Sequence, residues 1–398
     1  MRVIYTSPRH TSLRPMLAAL AMALAASAPA MAQAPIKIGF LGELSGPQAA
    51  IGKEQYDGLM LLIERNGGKL GGYPVQVIKE DSQLKPDVAN QLVRKLVERD
   101  KVDIITGVSF SNIMMAVHKY VTDNKVFLVG SNAGPSQIAG SQCSPYQFIT
   151  SWQGDQTSEA VGKYATDKGY KKVFLLAPNY QAGKDTLAGF KRHFKGEVVD
   201  EIYSSLRQQD FSAELSQVSA AKPDAVFAFF PGGLGVNFAK QYAQAGLMKS
   251  TPLLSTFVAD AVSLPSLGPG AQGLISGGFW APDFNNAANS KFVADFEQKY
   301  NRIPSNYAAQ SYDAAQLLDS AIAKVGGKVS DKQAFMAALK AANFQSVRGA
   351  FKFNNNHFPI QDMHVLEVAK DAKGRMSLKT ISTPFKNHQD AYHDKCPM

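Results

Sequence analysis

The sequence predicts an α/β protein built as two doubly wound parallel-sheet lobes. Three observations lead there. Short apolar, β-branched runs alternate with amphipathic helical runs along most of the chain, which is the pattern of βα units assembled into a parallel sheet with helices on both faces. The pattern restarts after Cys143 and repeats over a similar length. No long Pro/Ser-rich stretch separates the two sets, so short crossings would form a hinge and not a tether.

The first set reads in order. Strands are expected over 36–41, 73–79, 103–106 and 126–130, and helices over 52–66, 86–99 and 111–122. The helix over 86–99 places Val88, Leu92, Val93, Leu96 and Val97 on one face, the 3.6-residue period of a half-buried helix. The second set opens with an extended segment over 146–151 and a helix over 156–168. Strands then fall over 172–177, 197–204, 225–230 and 252–255, with helices over 183–194, 212–221 and 234–245 between and after them. An extended segment over 273–282 leads to helices over 289–300, 307–325 and 331–341. A closing hairpin over 363–369 and 376–381 is joined by the polar turn Lys370-Asp371-Ala372-Lys373-Gly374. Open parallel sheets bind ligands beyond the carboxyl ends of their strands, so residues just after the strands are the ones to inspect.

The ends and the charge bound the class. Arg2, Arg9 and Arg14 precede an apolar run over 17–28 that ends in Ala30-Met31-Ala32, the order of a secretory signal and its cleavage site. Residues 1–32 are read as a removable leader and the protein as exported. The run is too short for a bilayer core of about 30 Å. Losing the three leader arginines takes the net charge from +9 to +6. That excess is scattered in pairs such as Lys171-Lys172 and Lys191-Arg192; a nucleic-acid binder concentrates its cations on one face. Cys143 and Cys396 are the only cysteines. In an exported chain an isolated pair favours one disulfide, here tying the tail to a mid-chain loop, with two free thiols as the alternative.

Catalytic and cofactor signatures are missing from the sequence. It holds no G-x-x-x-x-G-K-[ST], no G-x-G-x-x-G, no H-E-x-x-H, no C-x-x-C and no G-x-S-x-G. His388, His393 and Cys396 lie close together near the C-terminus, but their spacing matches no standard metal site. No enzyme, cofactor or metal is expected.

Leu44-Ser45-Gly46-Pro47 and Asn66-Gly67-Gly68-Lys69-Leu70-Gly71-Gly72 resemble the first loop and following turn of ABC-transporter solute-binding proteins of the leucine/isoleucine/valine-binding kind. Lys79-Glu80-Asp81-Ser82, Thr106-Gly107-Val108-Ser109-Phe110-Ser111 and Asp210-Phe211-Ser212 extend the likeness over residues 35–386. The resemblance implies the type I periplasmic fold, two α/β lobes joined by a three-segment hinge. It places lobe 1 in 35–147 and 279–358, lobe 2 in 148–278 and 359–386, and a C-terminal tail in 387–398. It also implies a small-molecule ligand enclosed between the lobes, a membrane permease as partner, no nucleic acid, and a monomer.

Site positions follow from the resemblance one at a time. Ile51 matches a wall of the first loop. Ser109 and Ser111 match the serine-bearing loop that receives a ligand carboxylate, and a helix N-terminus there favours an anion. Ser131, Asn132 and Ala133 match the second receiving loop. Amino-acid receptors of the family place a hydroxyl where Ala133 stands and an acid near Phe257. The tyrosine of their "Y-G" loop falls at Ala182, with Tyr180 two residues away. A buried ammonium without a counter-charge is costly, so these departures point away from an amino acid. Phe110, Phe230, Phe257 and Trp280 are expected to add aromatic surface instead. The loop over 130–135 and the segment over 148–156 look like the branch that binds aromatic carboxylates of benzoate or cinnamate type. The competing readings are a receptor for a branched-chain amino acid or amide, with Asp260 as a substitute acid, and a soluble sensory subunit.

Overall fold

The first sheet runs β2-β3-β1-β4-β5-β6 and the second β12-β13-β11-β10-β9-β7-β8, with β14 paired to β13. The strands are β1 (Ile36–Gly42), β2 (Lys69–Leu70), β3 (Tyr73–Asp81), β4 (Ile104–Gly107), β5 (Phe127–Gly130), β6 (Gln147–Ile149) and β7 (Lys172–Pro178). They continue as β8 (Glu197–Ser204), β9 (Ala225–Phe229), β10 (Leu253–Thr256), β11 (Ile275–Gly278), β12 (Lys352–Phe353), β13 (Pro359–Lys370) and β14 (Met376–His388). The structure, a computed structural model, describes residues 1–8 and 34–398; most of the expected leader and its cleavage site lie outside the described residues. Met1–Ala34 and Pro35–Met398 are separate units, and both sheets belong to the second.

Both sheets are parallel through their middles. β1 pairs in parallel with β3 and with β4, and β7 with β8 and with β9. In each sheet the chain therefore reverses its direction of growth beside its first strand, β1 or β7. That reversal leaves a crevice at the strand ends where no loop crosses. The central strands β1, β4, β5, β7, β9 and β10 are mostly apolar runs buried on both sides, as parallel strands under two helical layers must be, while β3 and β8 are partly exposed. β9 and the residue after it show this clearly: Ala225, Phe227 and Phe229 join one core, and Val226, Ala228 and Phe230 the other.

Three passages join the sheets. The first leaves β6 and enters the helix Gln156–Asp167. The second leaves β11 for the helices Ala287–Tyr300 and Asn306–Lys324, and the third returns from the helix Lys332–Ala341, beside the first sheet, to β13. Asn306–Lys324 packs closely on Ala49–Arg65 beside the first sheet. The contact is at Gly58, where a Cβ would stand 2.2 Å from the Ala308 carbonyl oxygen. Arg348 fastens the first passage. Its guanidinium is buried, pairs with Asp313 at 3.0 Å, and donates to the carbonyls of Thr150 and Ser151 at 2.6 and 2.9 Å.

The C-terminal end departs from the expected hairpin and tail. β13 and β14 are both longer than expected, and β14 takes in residues 387 and 388. The remaining tail is held by the Cys143–Cys396 disulfide, whose Cα atoms lie 5.7 Å apart. Asn356 Nδ2 also donates to Asp390 at 2.9 Å, and Asn355 Nδ2 to the His393 carbonyl at 3.0 Å. These bonds supply the anchorage that a polar segment lacks from apolar burial. Among the described residues no helix is long and apolar enough to cross a membrane, and no His, Cys, Asp or Glu cluster is suited to a metal ion.

Candidate functional site

The carboxyl ends of the central strands of both sheets face one cleft. In the first sheet, β4 turns through Gly107 and Val108, both at positive φ. The turn is stitched to its neighbours: Val108 N–H donates to Leu41 at 2.7 Å, and Ser131 and Ala133 N–H donate to Gly107 and Val108 at 3.0 Å. It delivers Ser109 and Phe110 to the start of the helix Ser111–Asp123, whose N-cap Phe110 provides no side-chain cap. Its first amides are therefore left to other acceptors. From the second sheet, β7 ends at Pro178 and the helix Gln181–His193 starts with Tyr180 as its N-cap, again without a side-chain cap.

These two helix N-termini meet. Ser111 Oγ accepts from the Ala182 amide at 2.8 Å. Nearby, Asp185 accepts from Ser136 N–H at 3.0 Å and from Ser136 Oγ at 2.8 Å. Both sets of bonds join residues that follow strands of different sheets, so the cleft is closed. It encloses a narrow cavity of about 40 Å³. Six aromatic side chains line it: Phe110, Trp152, Tyr180, Phe229, Phe257 and Tyr307. They touch one another. Phe257 is centred 4.9 Å from Trp152, 6.1 Å from Phe229 and 6.1 Å from Tyr307, and Tyr180 lies 6.2 Å from both Phe110 and Phe229. Phe257 holds a left-handed backbone, φ 60°. Such strain costs about 1–3 kcal/mol and collects at ligand clamps.

The polar lining consists of Ser109, Ser111, Asn132, Asp185, Thr186 and the two tyrosines, with no Lys or Arg. Ser109 Oγ donates to Gln55 Oε1 at 2.5 Å. Asn132 donates to the Ser109 carbonyl and accepts from Gln310 Nε2 at 2.5 Å. Behind Ser109 stands Glu43, fully buried and accepting from Ser82 Oγ at 2.8 Å. Burial pushes its carboxyl up to about 7, against the opposing influence of the Ser109 and Ser82 hydroxyls beside it. Burial likewise lifts Asp185 above the usual carboxylate range, and Asp260 to about 6.

Of the residues expected at the site, Ile51, Ser109, Phe110, Ser111, Asn132, Ala133, Tyr180 and Phe257 line the cavity. Ser131, Phe230 and Trp280 do not. Ser131 Oγ is buried between Gln55 and Ser311, accepting at 3.1 and 2.7 Å. Phe230 packs with Phe211 and Phe238 in the core on the far side of the second sheet. Trp280 turns inward, donating from Nε1 to Asn289 at 2.7 Å and packing edge-on to Phe292. Strand parity carries the signal for Phe229 over Phe230, because alternate residues of β9 face opposite cores. Trp152, not Trp280, is the cavity tryptophan. Asp185, Thr186 and Tyr307 sit in helices with no local mark in the sequence.

A sequence profile of the family described as periplasmic binding protein matches residues 35–374. Leu/Ile/Val-binding protein homolog 6 of Brucella melitensis is 31% identical over 378 residues, covering 92% of this chain and 96% of that protein. A solved ABC-transporter solute-binding protein from R. palustris, in complex with benzoate, is similar with a TM-score of 0.87 at 33% identity, covering 92% of this chain and 100% of the other. Another from Rhodopseudomonas palustris BisB5, in complex with 3,4-dihydroxybenzoic acid, gives a TM-score of 0.82 at 32% identity, covering 90% and 99%. These relatives are solute-binding components and not enzymes, and their likeness spans both sheets and the cleft. With its two parallel sheets closed over an aromatic cavity, the chain belongs to the periplasmic binding protein family.

Proposed function

We propose that this protein is the periplasmic substrate-binding component of an ABC uptake transporter and that it carries a small aromatic carboxylate. The observation that carries the reading is the cavity itself, six aromatic side chains around a space where two helix N-termini meet, neither capped by the side chain of its own N-cap residue. Helix N-termini favour an anion through free amides and the helix dipole, and aromatic walls favour a flat ring. Benzoate and 3,4-dihydroxybenzoate in similar proteins support the same assignment.

In this reading the leader is removed after Ala32 and the mature protein works as a monomer. Residues 35–147 with 279–358 form one lobe, and 148–278 with 359–386 the other. The ligand carboxylate enters near Ser109, Ser111, Asn132 and Ala133. The ring lies among Phe110, Tyr180, Phe257 and their neighbours, and Ile51 closes one wall. The lobes close by hinge bending and a membrane permease reads the closed form.

A branched-chain amino-acid receptor is the competing reading, and the named Leu/Ile/Val-binding relative keeps it open. Calorimetry on the mature protein separates the two. Benzoate, 4-hydroxybenzoate or a cinnamate should bind, while leucine and phenylalanine should not. Micromolar leucine binding with no heat from the aromatic acids would reverse the assignment.

A further inference from the structure

Glu43 is a buried acid with no cation to meet it. It directly follows β1 and is 1% exposed. Ser82 Oγ donates to its Oε1 at 2.8 Å. The charge that acts on it is that of Asp81, another acid, and no ion pair among the described residues includes it. Glu43 also borders the cavity on the side where a carboxylate would enter. Ser109 lines the cavity and has its hydroxyl beside the Glu43 carboxyl. Tyr180 lines the cavity from the second sheet, and among the charges that act on it Glu43 comes first and Asp185 second.

The hydrogens in this place can be counted. Ser109 Oγ has one hydrogen and gives it to Gln55 Oε1 at 2.5 Å. A hydrogen bond between Ser109 and Glu43 must then take its hydrogen from Glu43, which has one to give only as a carboxylic acid. Nearby charges are engaged elsewhere. On β3, Lys79 lies over the Tyr56 ring and Glu80 pairs with Lys95. The helix Ala49–Arg65 packs on the Glu43 backbone at Gly52; its Lys53 pairs with Asp57, and Arg302 pairs with Glu54 and Asp57. The cavity lining has no Lys or Arg. A carboxylate arriving beside Ser109 thus meets Glu43 with no cation between them. Two carboxylates sharing a buried site do not both stay ionised, and Glu43, held up to about 7 by burial, is the more basic of the two.

We propose that ligand binding is coupled to protonation of Glu43: the acid enters as its anion, Glu43 takes one proton from solvent, and the closed cleft holds one carboxylate and one carboxylic acid. The inference rests on the aromatic-carboxylate reading of the cavity. The site gains no net charge on binding, because the anion and the proton arrive together and leave together. The proton lies between Glu43 and Ser109, so Ser109 keeps its bond to Gln55 and stays in place for the ligand. Glu43 is a positioning residue that acts through Ser109 and through its charge. Below pH 7 the free protein already carries most of this proton and binding takes up little. Above pH 7 Glu43 is ionised, the proton must come from solvent, and affinity falls as pH rises.

The test is calorimetry of benzoate on the mature protein at pH 6 and pH 8, each in two buffers of different ionisation enthalpy, which counts the protons taken up. About 0.9 proton per ligand is expected at pH 8 and about 0.1 at pH 6, with a dissociation constant about tenfold higher at pH 8. Glu43→Gln, a neutral stand-in for the acid form, should bind at pH 8 as the parent does at pH 6, with no proton uptake at either pH. The proton count in the parent is decisive even where that variant fails to fold. Benzoate binding without proton uptake at pH 8 would overturn the proton-coupled reading and leave the aromatic-carboxylate reading standing. Uptake that persists in Glu43→Gln would put the proton on another group and overturn it as well, as would a folded Glu43→Gln that no longer binds benzoate. A parent that binds benzoate at neither pH would overturn both.

Discussion

Ser136→Ala tests whether closure is part of the binding energy. Ser136 follows β5 of the first sheet, and Asp185 sits on the helix Gln181–His193 of the second. The Ser136 hydroxyl donates to Asp185 Oδ1 at 2.8 Å, and its amide to Oδ2 at 3.0 Å. Ser136 does not line the cavity, so the substitution removes an inter-lobe bond without touching the ligand. A hydrogen bond to a charged group contributes about 1.5–3 kcal/mol. Ser136 is half-buried and its amide bond survives, so about 1–2 kcal/mol is the expected loss, by discount for solvent screening. That loss falls on the closed form only. Dissociation constants should rise about 5–30-fold by the same factor for every ligand, since only the closing equilibrium moves. Calorimetry across several aromatic acids gives the factors, and small-angle scattering with saturating ligand should still show the closed form. Unchanged affinity, or factors that differ from ligand to ligand, would refute the reasoning.

Reduction of Cys143–Cys396 should lower stability by about 2–4 kcal/mol with little change in ligand affinity, read by denaturant melts; two titratable thiols in the unreduced, denatured protein would remove the bond itself. Glu43 is raised to about 7 in the fold from an ordinary 4.5, so the folded state binds the extra proton between those values. Its contribution is full below about pH 4.5 and is lost as pH rises through 7. Glu43→Gln should therefore flatten the decline in stability between pH 5 and pH 8, and an unaltered melt-against-pH curve would count against a protonated Glu43. Arg348→Ala leaves Asp313 and two passage carbonyls buried without their partner. It should cost about 3–5 kcal/mol of stability, and a melt within about 1 °C of the parent would contradict the role given to the pair.

Legibility in the sequence followed periodicity. The βα alternation exposed nearly every strand of both sheets, because strands buried on both faces must be apolar throughout. The cleft loops were found by the strand-end rule, and most of the expected lining residues sit on those loops. Errors arose where two aromatic residues compete. Phe229 and Phe230 are adjacent and both buried, and only the parity of β9 separates a cavity wall from a far-side core residue. Trp152 and Trp280 both stand at passages between the sheets, and the choice between them depends on Asn289, which captures the Trp280 ring nitrogen. Tyr307 begins a helix whose remaining apolar positions pack on Ala49–Arg65. Its place in the cavity is set by tertiary packing, which leaves no periodic trace.

The family resemblance sets Phe257 near the position where amino-acid receptors have an acid, yet the cavity is not short of acids. Asp185 lines it, Glu43 lies behind Ser109, and Asp260 lies behind Tyr307. Their surroundings decide whether any of them can serve an ammonium. Glu43 is raised to about 7 by burial, so near neutral pH much of it carries no charge to offer. Asp260 is separated from the cavity by the Tyr307 side chain, which does line it. Asp185 is the one carboxylate within reach, and its oxygens accept from Ser136 N–H, Ser136 Oγ and Gln181 Nε2 at 3.0, 2.8 and 2.8 Å. An ammonium would have to draw Asp185 away from Ser136 and so give up the bonds that hold the lobes together. A carboxylate makes no such demand: the helix N-termini proposed to receive it are brought together by closure. Anion binding and closure therefore reinforce each other in this cleft, and ammonium binding and closure compete for the same carboxylate.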